Sequence, residues 1–393
     1  MAQILTNLEQ VLKDKYLPAL NNQIGIDPDP LYEKMKKVPL TNDTIKAAAP
    51  YGLNGGFGFG AEGRGTPISG AQSYIDFAVK SADIYVDIEI SNKTVQLANS
   101  NNQAMILAFD QEIKSSYATA KWNLGRALFG DPSGKVATHT GVTAGNKITV
   151  NSTKKLKEGL RIDIYANDAI IGSDPKIKAV RITGINRATK EVTFDGDPGT
   201  CTAGFITIQN SYGRELNGLN AIMDDTIGYY AGKSKDTYSF LKPVVIDADH
   251  DITDLVIYDA VKQAKDDKNA SIDMVLCGDE AFKAYQEYMK VNNTVIVENQ
   301  KFMGGAVGYT VLVGSQKVTI VNDSFVPENE MWGVDSSAFE FHKTDLDFVS
   351  HQSSVFTLVP GTSIYRALLA CYGNIICKNP GGCIRITNAN ATA

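Results

Sequence analysis

The chain has 393 residues and a formal net charge of −6, with 43% hydrophobic and 21% charged residues. This acidic balance argues against a surface built to neutralise nucleic-acid phosphates, although it is compatible with a protein that encloses nucleic acid. The sequence contains no apolar run approaching the roughly 20 residues that span a bilayer, and its first residues lack the layout of a signal peptide. Five cysteines without a CxxC pair indicate reduced thiols in a cytosol.

Residues 1–50 predict an N-terminal arm. They combine little apolar periodicity with Pro28, Pro30 and a basic patch at Lys34, Lys36 and Lys37. A segment of this composition cannot build a core of its own, so we expect it to be flexible or to lie on a neighbouring molecule.

Residues 51–98 predict a long loop and its base. The stretch 51–70 is dense in glycine and carries Tyr51, Phe57 and Phe59, which is typical of a loop not packed within its own domain. Residues 75–90 alternate apolar and polar side chains, which predicts a strand. Together they indicate a long, projecting β-hairpin. Residues 58–63 match GxGxxG, but the strand and helix that a dinucleotide site requires are missing around them, so we predict no cofactor.

Residues 102–129 predict one long amphipathic helix of about 42 Å. Apolar residues recur at steps of three and four along it. They are Ile106, Phe109, Ile113, Tyr117, Ala120, Leu124 and Leu128. Asn99 to Asn102 offer side-chain oxygens that can cap its first turn, and Pro132 ends it.

The remaining chain divides by its periodicity. Residues 136–212 hold short β-segments between turn-forming residues, which predicts a small inserted β-barrel or sandwich. Residues 213–393 predict mixed α/β structure, with helices over 252–265 and 280–290. Strands are expected over 272–277, 294–297, 309–313, 318–321, 338–342 and 354–358. The largely apolar run 365–377 predicts a central strand.

One acidic cluster is the only candidate for catalysis. It comprises Asp247, Asp249, His250, Asp251 and Asp254. These residues lie where a helix is expected to begin, and aspartate is favoured there by capping and by the helix dipole. No second motif with ligand spacing accompanies them, so we predict no metal site and no catalytic residue. A metal-dependent α/β enzyme using this cluster remains an alternative.

The order of features resembles the major capsid proteins of tailed bacteriophages, which share the Hong Kong 97-type fold. The loop at 51–70 looks like that family's extended loop, and the helix at 102–129 looks like its spine helix. The segment 215–219 resembles the one that normally follows the spine helix almost directly, so 136–212 interrupts a familiar junction. Further similarity lies at 302–309, 323–327, 331–335 and 365–374.

The resemblance implies an α+β capsid fold with a small all-β insertion domain. It divides the chain into seven parts. They are an N-terminal arm (1–50), the extended loop and its base (51–98), the spine helix of the peripheral domain (99–135), the inserted β-domain (136–212), the peripheral-domain return (213–245), the axial domain (246–340) and the peripheral-domain strands with the C-terminus (341–393).

The implied function is structural: a subunit that assembles into the icosahedral shell of a tailed bacteriophage around double-stranded DNA. The implied partners are other copies in hexamers and pentamers, a scaffolding protein, a portal and a possible decoration protein. DNA would be enclosed without sequence-specific binding, no membrane is involved, and the virion capsid would be assembled in the bacterial cytoplasm. The candidates for contacts between subunits are Tyr51, Phe57, Phe59, Arg64, Lys36 and Lys37.

Two alternatives stay open on the sequence alone. An encapsulin compartment shares this fold, but the inserted β-module and the chain length speak against it. Arg64 is equally well explained as a solvated charge at the loop tip. Some capsids of this fold join subunits through a lysine–asparagine bond, but Lys80 is the only lysine between Lys46 and Lys93 and has no identifiable partner, so we expect no cross-link.

Overall fold

The computed structural model describes residues 29–52, 55–60, 63, 65, 68, 70–92, 102–142, 145–292, 298–301, 307–314, 316–349 and 356–390. Five α-helices lie in these ranges: α1 (Pro30–Lys34), α2 (Asn102–Leu128), α3 (Asn220–Met223), α4 (Asp254–Lys268) and α5 (Asp279–Asn292).

Most of the described chain is strand. The strands in the first half are β1 (Lys36–Pro39), β2 (Thr44–Tyr51), β3 (Ser73–Lys80), β4 (Ala82–Ser91), β5 (Lys135–His139), β6 (Lys147–Thr149), β7 (Arg161–Ala166), β8 (Ile177–Asn186), β9 (Glu191–Phe194) and β10 (Gly204–Ile208). Those in the second half are β11 (Tyr229–Tyr230), β12 (Lys233–Ser234), β13 (Val244–Asp247), β14 (Met274–Cys277), β15 (Glu298–Lys301), β16 (Val307–Val313), β17 (Gln316–Asn322), β18 (Met331–Val334), β19 (Phe339–Lys343), β20 (Asp347–Phe348), β21 (Thr357–Leu358), β22 (Ile364–Cys377) and β23 (Ile384–Thr387).

The long strand β22 organises the first sheet, as the run 365–377 predicts. It pairs antiparallel with β4, β19, β20 and β21, and β1 adds to the outer side of β19 in parallel. The same core contains the end of α2 and the stem of the β2–β3 hairpin. The predicted long helix is therefore present, and its buried end at Leu124, Leu128 and Phe129 lies in this core.

A second, seven-stranded sheet runs in the order β13-β23-β18-β14-β17-β16-β15. The helices α4 and α5 pack on it and share its apolar cluster. Thr253 caps α4, because its hydroxyl accepts a hydrogen bond from the backbone N–H of Val256. Both helices predicted in this region are confirmed. The strand expected over 294–297 lies outside the described residues.

Residues 135–208 form a sheet of their own, in the order β5-β10-β7-β8-β9-β6. It encloses a separate apolar cluster in which Ile162, Ile164 and Ile206 are fully buried. Five of its six strands coincide closely with the segments predicted from the sequence; β5 was not expected, because its short apolar stretch carries little alternation.

Two predictions are wrong. The single strand expected over 75–90 is two strands, since the buried positions change phase from Ile75, Phe77 and Val79 to Ala82 and Ile88. Ser81 stands at the break, where its backbone N–H donates to the carbonyl of Asp43. The second error concerns part of the arm: residues 29–39 pack on their own chain, with Leu31, Tyr32 and Met35 buried. Residues 1–28 lie outside the described residues, so for them the arm stays a prediction.

In the described part of the chain no helix is long and apolar enough to cross a bilayer.

Candidate assembly surfaces

The stem of the β2–β3 hairpin is anchored in the core. Eight residue pairs run from Thr44 opposite Lys80 to Tyr51 opposite Ser73, without a register shift. The face that carries Phe77 is buried, and the Phe77 ring meets Tyr230 edge to face with ring centroids 5.8 Å apart. The stem is therefore rigid, and its direction fixes where the loop between its strands projects.

The described residues of the hairpin tip face solvent. Phe57 is 83% exposed and Phe59 is 98% exposed, and the two rings contact mainly each other, edge to face at 5.5 Å. Ile68 is 91% exposed. Full burial of a phenylalanine stabilises a contact by about 1.5–3 kcal/mol, and here nothing described on the same chain supplies that burial. The predicted projection of this loop from its own domain is confirmed for these residues.

The structure says less about the other two predicted contact residues at the hairpin. Tyr51 is the last residue of β2, directly opposite Ser73. Arg64 lies outside the described residues.

The segment 29–39 behaves differently from the hairpin tip. Asp29 caps α1 by accepting a hydrogen bond from the Leu31 N–H at 2.7 Å, and Pro30 occupies the first helical position. This single turn of helix buries Leu31, Tyr32 and Met35 in the first core. The expectation of an arm without core contacts fails for these residues, because three apolar side chains suffice once the turn aligns them.

Lys36 and Lys37 have partners on their own chain. Lys36 bonds Glu340 at 3.1 Å, although 68% of its side chain is exposed. Lys378 bonds the same carboxylate at 2.9 Å. Burial raises the pKa of Glu340, but the hydrogen bonds and charges of Lys378 and Lys36 outweigh it and lower that pKa to about 2. Lys37 lies over the Tyr32 ring at 4.8 Å.

A buried pair of carboxyl groups lies at the start of this segment. Asp29 and Asp323 are 6% and 7% exposed, and the Asp29 Oδ2 atom has no hydrogen-bond partner. Burial raises the pKa of both groups, and the neighbouring charge of Asp323 raises that of Asp29 further. Asp279 raises the pKa of Asp323 as well, whereas Lys154 lowers it. The pair therefore keeps a proton to a higher pH than isolated aspartates do. Sequence reasoning missed it, because its members are almost 300 positions apart.

Asp247 and Asp254 of the acidic cluster at 247–254 have hydrogen-bond partners on their own chain. Asp247 accepts hydrogen bonds from the Asp249 N–H and from the Asn388 amide, which lower its pKa. The Asp254 carboxylate accepts from the Tyr285 hydroxyl at 2.8 Å. Within the described ranges, no three acidic, histidine or cysteine side chains are placed to hold a metal ion. The cluster shapes the turn before α4.

Residues between and after the strands of the sheet 135–208 form hydrogen bonds with the end of α2. Arg126 and Glu215 form two hydrogen bonds at 2.9 and 2.6 Å, with both side chains buried. Lys155 donates to the Phe129 carbonyl at 2.8 Å, and burial lowers the pKa of Lys155 to about 8.

The chain that returns from this sheet closes the helix end directly. The Leu219 N–H donates to the Leu128 carbonyl at 2.7 Å, and the Asn220 N–H donates to the Gly130 carbonyl at 3.1 Å. Gly218 is required here, because a Cβ at that position would overlap the carbonyl oxygens of Leu128 and its neighbours. Residues 130 and 218 are thus spatial neighbours although the whole β-sheet unit lies between them in sequence.

The described part of the chain is thus mixed α+β with mostly strand, and this arrangement has a counterpart among solved structures. No family model and no curated protein matches the sequence. Among solved structures, a chain of the cyanophage A-1(L) capsid asymmetric unit is similar over 92% of this chain and 93% of its own, with a TM-score of 0.51 and 10% identity. At this identity the match establishes the fold alone. It confirms the predicted α+β fold shared with a phage capsid chain, whereas the spine helix, the extended loop and the inserted domain stay predictions.

Two further structures are similar over most of their length. The SrpI encapsulin complex from Synechococcus elongatus PCC 7942 covers 93% of this chain and 89% of its own, at 8% identity and a TM-score of 0.46. The capsid of a native GTA particle covers 92% and 90%, also at 8% identity and 0.46. Neither similarity is strong enough to carry an argument.

Proposed function

We propose that this protein is a structural subunit of a tailed-bacteriophage capsid, and that copies of it assemble into an icosahedral shell enclosing double-stranded DNA. The fold shared with the cyanophage capsid chain supports this proposal. The observation that carries it is the hairpin tip: a stem anchored in the core holds two phenylalanine rings in solvent, where only another molecule can bury them.

The division into domains follows the same proposal. The hairpin is the extended loop, α2 is the spine helix, and the seven-stranded sheet with α4 and α5 is the axial domain within 246–340. The sheet 135–208 is an insertion domain within 136–212. The junction supports this last assignment, because Leu219 and Asn220 cap the helix end as if the chain had continued there directly.

The proposed subunit contacts start from the hairpin. Phe57 and Phe59 would enter an apolar site on the adjacent subunit, with Tyr51 and Arg64 flanking them. Lys36 and Lys37 would contribute at the edge of the first sheet. Lys36 is the better of these two, because its exposed side chain can keep Glu340 and still reach a neighbour.

The proposed partners are therefore other copies of the chain, in hexamers and pentamers, together with a scaffolding protein, a portal and a decoration protein. DNA would be enclosed without sequence-specific contacts, which suits the negative charge of the chain. The site of action would be the virion capsid, assembled in the host cytoplasm. The role is structural and not catalytic.

The test is particle size. We expect the purified protein, examined by light scattering and negative-stain microscopy, to form closed shells or capsomer-sized rings. Many weak contacts repeated over a closed lattice make such particles stable. The matched variant replaces residues 53–70 by a short glycine–serine linker. It should fold with unchanged circular dichroism and remain small.

A wild-type protein that stays monomeric at every concentration and salt tested would refute the proposal. Shells that form equally well without the tip would refute the assigned role of the tip while leaving the shell itself in place.

A further inference from the structure

Charge is distributed unevenly over this chain. Residues 136–212 contain ten lysines and arginines against seven aspartates and glutamates. The rest of the chain contains 28 basic and 37 acidic residues. The inserted sheet is thus the basic part of an acidic protein. The complementary negative charge lies on the rest of the chain, and therefore on every other copy of it.

Two arginines concentrate that positive charge on the outer face of the sheet. Arg161 on β7 lies directly opposite Arg181 on β8. Their neighbours Ile162 and Ile182 point into the apolar cluster, so both arginines point away from it. Both are exposed, and in the described part of the chain neither forms an ion pair with a carboxylate. The hydrogen bond from Arg161 to the Ala179 carbonyl leaves its charge uncompensated.

Like charges directly opposite each other on adjacent strands are unfavourable. Two carboxylates lie on this face as well: Glu191, which accepts a hydrogen bond from Thr189, and Asp195, whose backbone N–H donates to the Arg181 carbonyl and which is therefore the cross-strand neighbour of Arg181. Neither comes within ion-pair distance of the arginine pair in the described structure. A surface that carries the two neighbouring arginines Arg161 and Arg181 is suited to an anionic partner.

The acidic counterpart lies on β4. Asp83, Tyr85, Asp87 and Glu89 alternate along its exposed face. Asp87 forms an ion pair with Arg366, and Arg366 also stands directly opposite Glu89 in the β4–β22 register, so its charge lies beside both carboxylates. Tyr85 meets Tyr372 of β22 edge to face, with ring centroids 6.4 Å apart, and both rings are accessible at 54% and 37%.

Each face presents its side chains from two adjacent strands, with Arg161 and Arg181 on β7 and β8 and with Tyr85 and Tyr372 on β4 and β22. Guanidinium groups stack on aromatic rings and form paired hydrogen bonds with carboxylates. Both kinds of acceptor are present on this strand face.

We propose that the arginine pair Arg161 and Arg181 docks on the face formed by Asp83, Tyr85, Glu89 and Tyr372 of a second copy of the chain. This contact rests on the proposed shell, which brings many copies together at fixed positions. It is separate from the hairpin contact, because it uses none of the same residues and depends on charge.

The test exchanges the charges. R161E/R181E should lower the yield of closed particles at least tenfold, and D83K/E89K should do the same. The four substitutions combined should restore at least half of the wild-type yield. K176E/K190E is the matched control, since it changes the charge of the same sheet equally at exposed positions away from the pair, and it should assemble normally. Raising NaCl from 0.05 to 0.5 M should weaken wild-type assembly, because salt screens exposed charges.

Several results would overturn the inference. The R161E/R181E variant could assemble like the wild type, or the combined variant could fail to exceed either parent although each is folded by circular dichroism. If the glutamate variant does not fold, R161Q/R181Q takes its place. A 30-base-pair DNA duplex is the competing probe: DNA binding lost in R161E/R181E with assembly unchanged would assign the pair to nucleic acid instead.

The failure of the shell can be distinguished from the failure of this contact. If the wild type forms no closed particle, the proposed function fails. Pairwise association is then measured by sedimentation of the same four proteins, where the same pattern of loss and rescue supports the contact and its absence refutes it.

Discussion

The hairpin tip and the segment 29–39 both combine turn-forming residues with aromatic ones, yet only the segment 29–39 buries its aromatic side chain. Tyr32 is completely buried and meets Phe341 edge to face at 5.6 Å. Phe57 and Phe59 are almost completely exposed. The difference lies in what precedes each ring.

In the first segment, the Asp29 cap and Pro30 fix one helical turn, which aligns three apolar side chains on the core. In the tip, glycines flank both phenylalanines, and Gly52 and Gly63 have positive φ. Glycine gives the loop freedom but no preferred face. The segment 29–39 is thus part of the core because a cap orders its helical turn. The hairpin tip is available to a partner because glycines surround its aromatic rings.

The largest effect is expected from Tyr32→Ala. Removal of a fully buried aromatic ring costs about 3–5 kcal/mol in free energy of unfolding, which is enough to unfold a marginal domain. Urea unfolding followed by circular dichroism measures it. The control is Tyr74→Ala on the hairpin stem, where the ring is 63% exposed and a change within about 0.5 kcal/mol is expected. Equal losses in the two variants would remove the distinction between the segments.

The acid pair predicts an unusual pH dependence. Because the folded state holds a proton that the unfolded state releases, the pair stabilises fully below the ordinary aspartate pKa. That contribution is lost as the pH rises through the raised pKa of the pair. Asp29→Asn keeps an acceptor for the Leu31 N–H and offers an N–H₂ group to Asp323.

We therefore expect Asp29→Asn to be more stable than the wild type at pH 8, by about 1–3 kcal/mol, the cost of an unsatisfied buried polar group. At pH 5 the advantage should vanish. Parallel curves of unfolding free energy against pH for the two proteins would contradict the raised pKa of the pair. Hydrogen exchange at Leu31 and Tyr32 should report the same trend locally.

The features that could be predicted are those that depend on local pattern. The apolar stripe of 102–129, the strands of 147–208 and the run 365–377 each show a period or an apolar run of their own, so sequence alone placed them. The contacts that sequence could not supply join distant positions: Asp29 with Asp323, and Arg126 with Glu215. The burial of Leu31, Tyr32 and Met35 belongs to the same class, since three residues are too few to show a period and only the finished core gives them a place.

The phase change at Ser81 is an intermediate case. β3 and β4 have the same period but opposite phase, and only Ser81 separates them. The sequence pattern therefore predicts a single strand. The signal was present, since the buried set moves from odd to even numbers, and a count of that parity would have found the break.

A smaller effect is expected from Lys36→Ala. Because Lys36 is largely exposed and Lys378 still bonds Glu340, the loss should stay below about 1 kcal/mol. The stability that depends on the low pKa of Glu340 is present above pH 4.5 and is lost as the pH falls towards 2. Lys36→Ala should make that acid limb shallower without changing stability at pH 7 by more than this amount. A loss as large as that of Tyr32→Ala would show that ion pairing and not burial anchors the segment.

The smallest effect on folding, and the largest on assembly, is expected from Phe57→Ser with Phe59→Ser. Both rings contact solvent, so the unfolding free energy should change by less than about 0.5 kcal/mol. Two rings buried on a neighbour contribute about 1.5–3 kcal/mol each, so their loss should lower the particle yield at least tenfold. Ile170→Ser with Val291→Ser is the control, because these side chains are 74% and 78% exposed elsewhere and should be neutral in both assays.

The variant Phe57→Ser with Phe59→Ser and the variant R161E/R181E separate the two proposed contacts by their response to salt. Apolar burial is strengthened by sulfate, whereas the arginine pair is weakened by any salt that screens it. Sulfate should therefore partly compensate the loss in R161E/R181E, which keeps the tip, and should give no rescue to the serine variant, which lacks it. Rescue of the serine variant by sulfate would mean that the tip is not the apolar anchor between subunits. The exposure of Phe57 and Phe59, in contrast to the burial of Tyr32, would then need another explanation.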